Sequence, residues 1–394
     1  MNKFVLNLMK GLKYIPKLTI PFLLAFIKFS VNVNIPAIDY LRGSSIFAIS
    51  AIFSAFLGFF GEGFKDYFNN NNIDKIYKII YIYYLVSLTF FLSIFFRNSL
   101  FNIVSFFTIS GGLSLLERVI YLNLGYTNSS YINNQLYTLQ LSLRYFSIIF
   151  IDNQFLVIIL SIANLICITY QIRSLYLSLI KEKIISEKLN FRNLFSNFNI
   201  KSQNRFLIFP KFLVYPSILY LFSKYVEYAD KIYCSIGVCS TQTTEYVRLF
   251  GILITIFFIS SEYLNLSFRT GKSLKNNNIE IKSITNASIV ISTFALIFLY
   301  FKLGADFGLY TYLILASIAF INAISNLRFI YSFTNYKNDR KNLLLFGFLG
   351  FVFSIPILFS KFPFIAPMTV IITANIGLFI KNKFKFLKVK KNIR

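Results

Sequence analysis

The stretch Lys181 to Arg205, KEKIISEKLNFRNLFSNFNIKSQNR, is one of the longest polar interruptions in an otherwise apolar chain. About six apolar stretches precede it and about six follow, taking about 20 apolar residues as the length of a spanning helix. Its Lys and Arg residues favour the cytoplasmic side of a membrane. The stretch therefore predicts a cytoplasmic basic connector (181–205) between an N-terminal lobe (1–180) and a C-terminal lobe with a basic tail (206–394).

The composition indicates that the chain uses lipid as its solvent. Hydrophobic residues make up 56% of its 394 residues and charged residues only 14%, and its mean hydropathy is +0.63. Soluble domains average roughly 45–50% apolar and about 25% charged residues. We therefore predict an all-α polytopic membrane protein, with about 12 transmembrane helices in two six-helix lobes.

Each predicted span is an apolar run of roughly membrane-crossing length. The first is expected to be retained, because no short apolar core followed by a small-residue cleavage site is evident. The spans are predicted at about Ile15–Ala37, Ser44–Phe64, Ile79–Phe96, Leu100–Leu116, Tyr137–Ile151, Phe155–Leu179, Phe206–Val226, Tyr246–Leu264, Ala287–Leu303, Phe307–Phe329, Leu343–Leu358 and Ile365–Ile380.

The distribution of Lys and Arg predicts the orientation. With the N-terminus inside, the inner segments carry a roughly fourfold excess of basic residues, as the positive-inside rule requires. Both termini are then cytoplasmic, and the net charge of +25 belongs to loops rather than to a nucleic-acid site. Most outer loops are short, and the longest is predicted over Glu227–Thr244.

Several chemistries are excluded or left open by residue usage. The chain has no His, which excludes a His-based metal site or proton relay. No GxxxxGK[ST] motif is present, so the chain itself is not expected to hydrolyse ATP. No cofactor or metal is predicted. Cys234 and Cys239 share a polar stretch, and a disulfide or two unlinked thiols are both compatible with it.

The two-lobe layout resembles the polysaccharide flippase branch of the MOP (multidrug/oligosaccharidyl-lipid/polysaccharide) exporter superfamily, with a MATE-like fold. The stretch RFLIFPKFLVYPSILYLFSKYVEYADKIYCSIG is similar to that family's seventh span, with Asp230, Lys231 and Gly237 at its closing motif. GFFGEGF resembles the Gly-rich end of the second span. LLERVIYLNLG resembles the Arg-bearing end of the fourth span, with Arg118 in that place. Lys231 departs from the commoner Arg, which changes the charge geometry.

The resemblance implies a flippase and not an enzyme. Such proteins move an undecaprenyl-diphosphate-linked oligosaccharide from the inner to the outer leaflet of the bacterial cytoplasmic membrane by alternating access. The implied partners are that lipid-linked oligosaccharide and the bilayer, with a polysaccharide polymerase and glycosyltransferases as further candidates. An anionic cargo would need a pathway lined by Lys and Arg.

The candidate substrate-binding residues are basic residues in or near spans: Lys28, Arg144, Lys211, Arg328 and Arg118. Lys28 binds cargo or snorkels to an interface. Arg144 shares a polar stripe with Tyr137 and Gln140, and the stripe lines a pathway or contacts another helix. Lys211 and Arg328 are equally compatible with a role as cytoplasmic anchors. Arg118 is also compatible with a local ion pair with Glu117.

Candidate gating or coupling residues are Asp39, Glu62, Asp230, Lys231 and Arg248. All but Glu62 are predicted toward the outer side, where they form breakable ion pairs or are solvated loop charges. Glu62, in GEGF, is the acid predicted to lie at membrane depth, and is a candidate for ion coupling.

Three other functions compete with the flippase. An envelope-polysaccharide polymerase or glycosyl- or acyltransferase would need a large outer loop or an acidic donor site, and acyl transfer often uses His as a base. A drug or cation antiporter of the same superfamily would favour acidic groups at depth. A structural scaffold would need none of these residues.

Overall fold

A computed structural model describes residues 15–58, 73–97, 99–123, 127–181, 211–270, 293–335 and 340–391, all of which are helical or form short turns. A helical stretch at 293–299, called α9 here, continues into a π-helical turn at Tyr300–Gly304 and a 3₁₀ turn at Ala305–Phe307. The other helices are α1 (Ile15–Asn34), α2 (Ala37–Leu57), α3 (Ile73–Phe96), α4 (Leu100–Asn123), α5 (Thr127–Ile149), α6 (Gln154–Lys181), α7 (Lys211–Ser235), α8 (Thr241–Thr270), α10 (Leu309–Asn335), α11 (Arg340–Leu358) and α12 (Ile365–Lys391).

These helices follow the predicted spans in number and order, which confirms the all-helical prediction for the described residues. Several boundaries differ from the prediction. Helix α5 begins at Thr127 rather than Tyr137, and α12 continues to Lys391 rather than Ile380. Helix α2 begins at Ala37 rather than Ser44, directly after Pro36, because a proline disfavours helical backbone at the residue before it. Helix α7 continues to Ser235, so most of the loop predicted over Glu227–Thr244 is helix. The predicted connector lies outside the described residues, apart from Lys181 at the end of α6.

The helices indicate a multi-pass membrane protein. Within the described part of the chain, four are long and apolar enough to cross a bilayer, over Ala37–Leu57, Tyr77–Phe96, Leu100–Glu117 and Gln154–Lys181. Shorter apolar stretches occur at Leu309–Ser325, Leu345–Leu358 and Ile365–Gly377. Phe96 is 89% exposed and Phe155 is 75% exposed. Large side chains turned outward in this way suit contact with lipid.

The chain divides into two compact units. Unit 1 comprises Met1–Ser45 and Phe222–Arg394, and unit 2 comprises Ile46–Leu221. The divisions fall inside α2 and α7, whereas the predicted lobes meet at the connector. Helix α1 and the start of α2 therefore group with the C-terminal helices.

Helix α4 is the central helix of unit 2. It packs on α3, α5 and α6, and 61% of its apolar stretch is buried, against 22% for α3. Its Gly112 lets α2 approach closely, because an added Cβ would lie 2.6 Å from the Cβ of Leu57. Small residues commonly permit such contacts between membrane helices. The apolar core around α4 includes Ile80, Ile103, Phe106, Leu113, Ile168 and Leu175.

Unit 1 is built mainly on two helix pairs, α11 with α12 and α8 with α10. The first pair packs closely, because a Cβ on Gly350 would lie 3.0 Å from the main-chain oxygen of Thr369. Helix α1 packs on α8, with Phe29 and Val33 in one apolar cluster with Val247 and Phe250.

Candidate functional site

Buried polar side chains from four helices of unit 2 form a line that we call the polar seam. Its members are Ser50 and Ser54 of α2, Thr108, Ser110 and Ser114 of α4, Gln140 and Arg144 of α5, and Asn164 and Gln171 of α6, all buried. On α2, α5 and α6 these positions are four or seven residues apart and fall on one face, as do Ser110 and Ser114 of α4. Thr108 lies two residues from Ser110, on another face of α4 that contacts α2.

One end of the polar seam is a hydrogen-bonded group of one hydroxyl and two amides. Gln140 Nε2 donates to Gln171 Oε1 at 2.7 Å, and Ser114 Oγ donates to the same oxygen at 3.2 Å. Ser114 Oγ also lies within hydrogen-bonding distance of Gln140 Oε1. Helices α4, α5 and α6 are thus joined at one level by polar bonds inside an apolar bundle. One turn along α4, Asn164 Nδ2 donates to Ser110 Oγ at 3.0 Å.

Arg144 places a guanidinium in the middle of the polar seam. Its side chain is 1% exposed, and Nη1 donates to Ser50 Oγ at 3.4 Å. The guanidinium carbon lies 5.8 Å from the centre of the Phe47 ring, within the range of a cation–π contact. Ser50 Oγ in turn lies 2.8 Å from Thr108 Oγ1. The predicted polar stripe on α5 therefore faces other helices of its own unit.

A glycine of α4 creates the space for Arg144. A Cβ on Gly111 would overlap Nη2 of Arg144 and would lie 2.9 Å from Ser54 Oγ. Ser54 Oγ donates to the main-chain oxygens of Ser50 at 2.9 Å and Thr108 at 3.0 Å. The polar seam continues in this way from α4 to α2.

Glu117 lies one turn beyond Ser114 on the same face of α4. The side chain is 0% exposed, and neither carboxyl oxygen has a hydrogen-bond partner. A further turn along, Tyr121 Oη donates to Ser174 Oγ of α6 at 3.1 Å. The acid thus lies between two levels of hydrogen bonds that join α4 to α6. The predicted local ion pair between Glu117 and Arg118 is not tested, because the Arg118 side chain lies outside the described residues.

A second group of charged residues lies on α7 in unit 1. Lys224 Nζ and Glu227 Oε2 form an ion pair at 2.6 Å, and Lys231 Nζ donates to the main-chain oxygen of Glu227 at 2.5 Å. The ammonium groups of Lys224 and Lys231 lie 5.3 Å and 5.0 Å from the centre of the Tyr228 ring. Asp230 accepts a bond from the main-chain nitrogen of Lys231 at 2.9 Å. The predicted gating pair Asp230 and Lys231 is therefore buried within a helix, not in a loop.

Arg248 of α8 holds the C-terminal end of α1. Its Nη2 donates to the main-chain oxygens of Asn32 at 3.1 Å and Val33 at 2.7 Å, and Nε donates to Asn32 at 3.2 Å. The last carbonyls of a helix lack partners within it, and a cation also interacts favourably with that end of the helix dipole. Arg248 forms an ion pair with the partly exposed Glu245 at 3.3 Å. These contacts make Arg248 an anchor for α1.

The remaining predicted residues are not brought into either group by the described contacts. Lys28 is half-buried on α1, and Asp39 is exposed on the first turn of α2. Lys211 and Arg328 lie on α7 and α10, but their side chains are outside the described residues. Glu62 also lies outside them.

Cys234 and Cys239 form a disulfide, with their Cα atoms 4.9 Å apart. The bond closes the short turn between α7 and α8. Ser235, next to Cys234, accepts a hydrogen bond from Ser45 Oγ at 3.0 Å. The sequence left this pairing open. In the structure, the disulfide links the end of α7 to the turn that leads into α8.

Sequence reasoning found Arg144 and Gln140 of the polar seam but missed its partners on α2, α4 and α6. Their signal was available, because Ser50 and Ser54, Ser110 and Ser114, and Asn164 and Gln171 recur at helical spacing within apolar stretches. Within the described residues, no group of three or more His, Cys, Asp or Glu side chains is placed to hold a metal ion.

Comparisons of the chain with protein-family models, curated proteins and solved structures found no match. The geometry of the site itself must therefore support any assignment of function.

Proposed function

We propose that the chain is a flippase that moves an undecaprenyl-diphosphate-linked oligosaccharide from the inner to the outer leaflet of the bacterial cytoplasmic membrane. The observation that carries the proposal is the guanidinium of Arg144 on α5, 1% exposed and packed against the apolar helices α2 and α4. A charged side chain at membrane depth is costly, and in transporters it marks the pathway of the transported species.

The chemistry of the polar seam suits this cargo. A pyrophosphate is anionic, and the planar guanidinium of arginine matches phosphate oxygens with two parallel hydrogen bonds. The serine, threonine, asparagine and glutamine side chains around Arg144 are of the kind that exchange hydrogen bonds with sugar hydroxyls. Arg144 donates to the neutral hydroxyl of Ser50 at 3.4 Å, and a phosphate accepts stronger hydrogen bonds from a guanidinium than a hydroxyl does.

The division into two compact units also supports transport. In many secondary transporters, bundles of helices move as rigid bodies during alternating access. The excess of basic residues in the predicted inner segments favours cytoplasmic termini. The disulfide between Cys234 and Cys239 supports an outer position for the turn between α7 and α8, because such bonds persist in oxidising compartments.

A polymerase or transferase of envelope polysaccharide receives less support. Such an enzyme was expected to use a large outer loop or an acidic donor site. The longest predicted outer loop is mostly helix, because α7 ends at Ser235 and α8 begins at Thr241. Glu117 is the observation that favours a cation antiporter, since a buried acid suits a cationic cargo. Arg144 in the same bundle favours an anionic cargo. The proposal includes no cofactor and no nucleic acid, with the bilayer, a polymerase and glycosyltransferases as partners.

The experiment that tests the proposal compares the leaflet position of lipid-linked oligosaccharide units in cells with and without the gene. The flippase account expects units to accumulate in the inner leaflet of the deletion strain, and to reach the outer leaflet when the gene is restored. Normal outer-leaflet units with failed chain extension would instead indicate a polymerase. Normal units and normal extension in the deletion strain would exclude both.

A further inference from the structure

Glu117 is a buried acid that the proposed cargo site does not use. It is 0% exposed, and both carboxyl oxygens are enclosed without a hydrogen-bond partner. An ionised carboxylate in such a place would lose its hydration and gain no compensating bond, whereas the protonated carboxyl avoids that cost. Ionisable groups of this kind within membrane bundles recur in proton relays.

The position of Glu117 connects it to the polar seam. Ser110, Ser114, Glu117 and Tyr121 lie at steps of four, three and four residues, on one face of α4. The other three each bond to α6, through Asn164, Gln171 and Ser174. Glu117 is the titratable carboxyl within this row of hydroxyl and amide groups.

The groups around Glu117 include no described cation that would stabilise its charge. From α3, Tyr77 is close enough to interact with it electrostatically, and the Tyr77 ring stacks on Tyr176 of α6 with centroids 6.2 Å apart. Helix α5 presents the neutral amide of Gln140, with Arg144 one turn farther along. The residues of α2 within unit 2 carry no charge, and Arg173 of α6 is exposed.

We propose that Glu117 is a proton-binding site of unit 2, and that it takes up and releases a proton during each transport cycle. A proton from water is bound by the carboxylate in one state, and the carboxyl returns it to water in another. A metal ion would need several oxygen ligands, and no acidic cluster within the described residues offers them. The coupling to transport rests on the proposed flippase function, whereas proton binding does not.

The first test measures the protonation of Glu117 directly. Infrared spectra of the full-length protein in lipid nanodiscs report the carbonyl stretch of protonated carboxylic acids. We expect a band at neutral pH that is lost in Glu117→Gln and retained in Asp152→Asn, which changes an exposed acid of unit 2. If the band is unchanged in Glu117→Gln, Glu117 is ionised and the proposal is wrong. If Glu117→Gln does not fold, Glu117→Asp is used, and a band that does not shift in it overturns the proposal.

The second test measures coupling in proteoliposomes that contain a pH-sensitive dye and an undecaprenyl-diphosphate-linked oligosaccharide. We expect cargo-dependent proton movement that is lost in Glu117→Gln and retained in Asp152→Asn, with no effect of replacing sodium by potassium. Cargo movement without proton movement would overturn the coupling and leave the flippase function standing. A protonated Glu117 in a protein that moves no cargo would support the proton site and overturn the flippase function.

Discussion

The guanidinium of Arg144 occupies the space that a side chain on Gly111 would need. Helices α5 and α4 of unit 2 thus meet where α5 contributes the buried cation of Arg144 and α4 contributes a glycine, which has no side chain. The arrangement fixes Arg144 beside Ser50 and Ser54 and makes the position of the cation dependent on a glycine.

We expect Gly111→Ala to destabilise the protein. Alanine is favoured over glycine in a helix by about 1 kcal/mol, but inserting a methyl group into a filled site costs about 1–3 kcal/mol. The added Cβ would also displace Arg144, so transport should fall. Thermal unfolding of the purified protein would measure the effect, with Phe101→Ala, an exposed position on the same helix, as the control. An unfolding temperature above that of the wild type would show that Arg144 moves aside freely.

The hydrogen bonds among Ser114, Gln140 and Gln171 should couple α4, α5 and α6. Replacing Gln140 with Leu leaves the buried polar groups of Ser114 and Gln171 with fewer hydrogen bonds, and this should lower the free energy of unfolding by about 1–3 kcal/mol. The double variant Gln140→Leu/Gln171→Leu should lose less stability than the sum of the single variants, because the two residues share the bond. Unfolding in denaturant provides the four values of the cycle. Thr169→Val, an exposed change on α6, should have little effect, and strictly additive losses for Gln140 and Gln171 would contradict the coupling.

The order of the helices was predictable because each apolar run between polar segments has roughly the length of a membrane span. Boundaries were harder to predict where polar residues belong to helices, as at Asp39 in α2 or at Lys224 to Lys231 in α7. In the second case the charges pair with one another along the helix, so α7 continues where hydropathy predicts a loop.

The burial of Glu117 was not predicted from its position at the end of an apolar run. The available signal was the face of α4 that it shares with Ser114 and Tyr121, because residues three and four apart on a helix are neighbours. The anchoring of α1 by Arg248 joins residues more than two hundred positions apart, and no pattern within either segment indicates it.

Arg248 should stabilise unit 1 by holding α1. Arg248→Gln removes bonds from a charged donor to two buried carbonyl groups, each worth about 1.5–3 kcal/mol. We expect faster hydrogen exchange at the C-terminal end of α1 and a lower unfolding temperature. Glu245→Gln removes only a partly exposed ion pair, worth about 0–1 kcal/mol, and should resemble the wild type. Equal effects of the two variants would show that the ion pair, and not the carbonyl contacts, is what matters.

The disulfide should report the side of the membrane on which the turn between α7 and α8 lies. In intact cells, the partly exposed Cys239 should become reactive to a membrane-impermeant thiol reagent only after treatment with an impermeant reductant. Buried Cys167 should stay unreactive, and a Cys167→Ser variant simplifies the labelling. Loss of the bond in Cys234→Ser/Cys239→Ser should cost about 2 kcal/mol, because the closed loop is short. Labelling that requires permeant reagents would place the turn in the cytoplasm and reverse the proposed orientation.

Transport of the lipid-linked oligosaccharide by purified protein tests the central proposal most directly. Proteoliposomes with the wild type should move an undecaprenyl-diphosphate-linked oligosaccharide between leaflets faster than protein-free liposomes. Arg144→Ala should lose at least about tenfold in rate, equivalent to about 1.4 kcal/mol of cargo interaction, while the exposed Arg173→Ala retains the wild-type rate. A wild-type rate no faster than that of protein-free liposomes, or an unchanged rate in Arg144→Ala, would contradict the assignment of Arg144 as the cation of a flippase pathway.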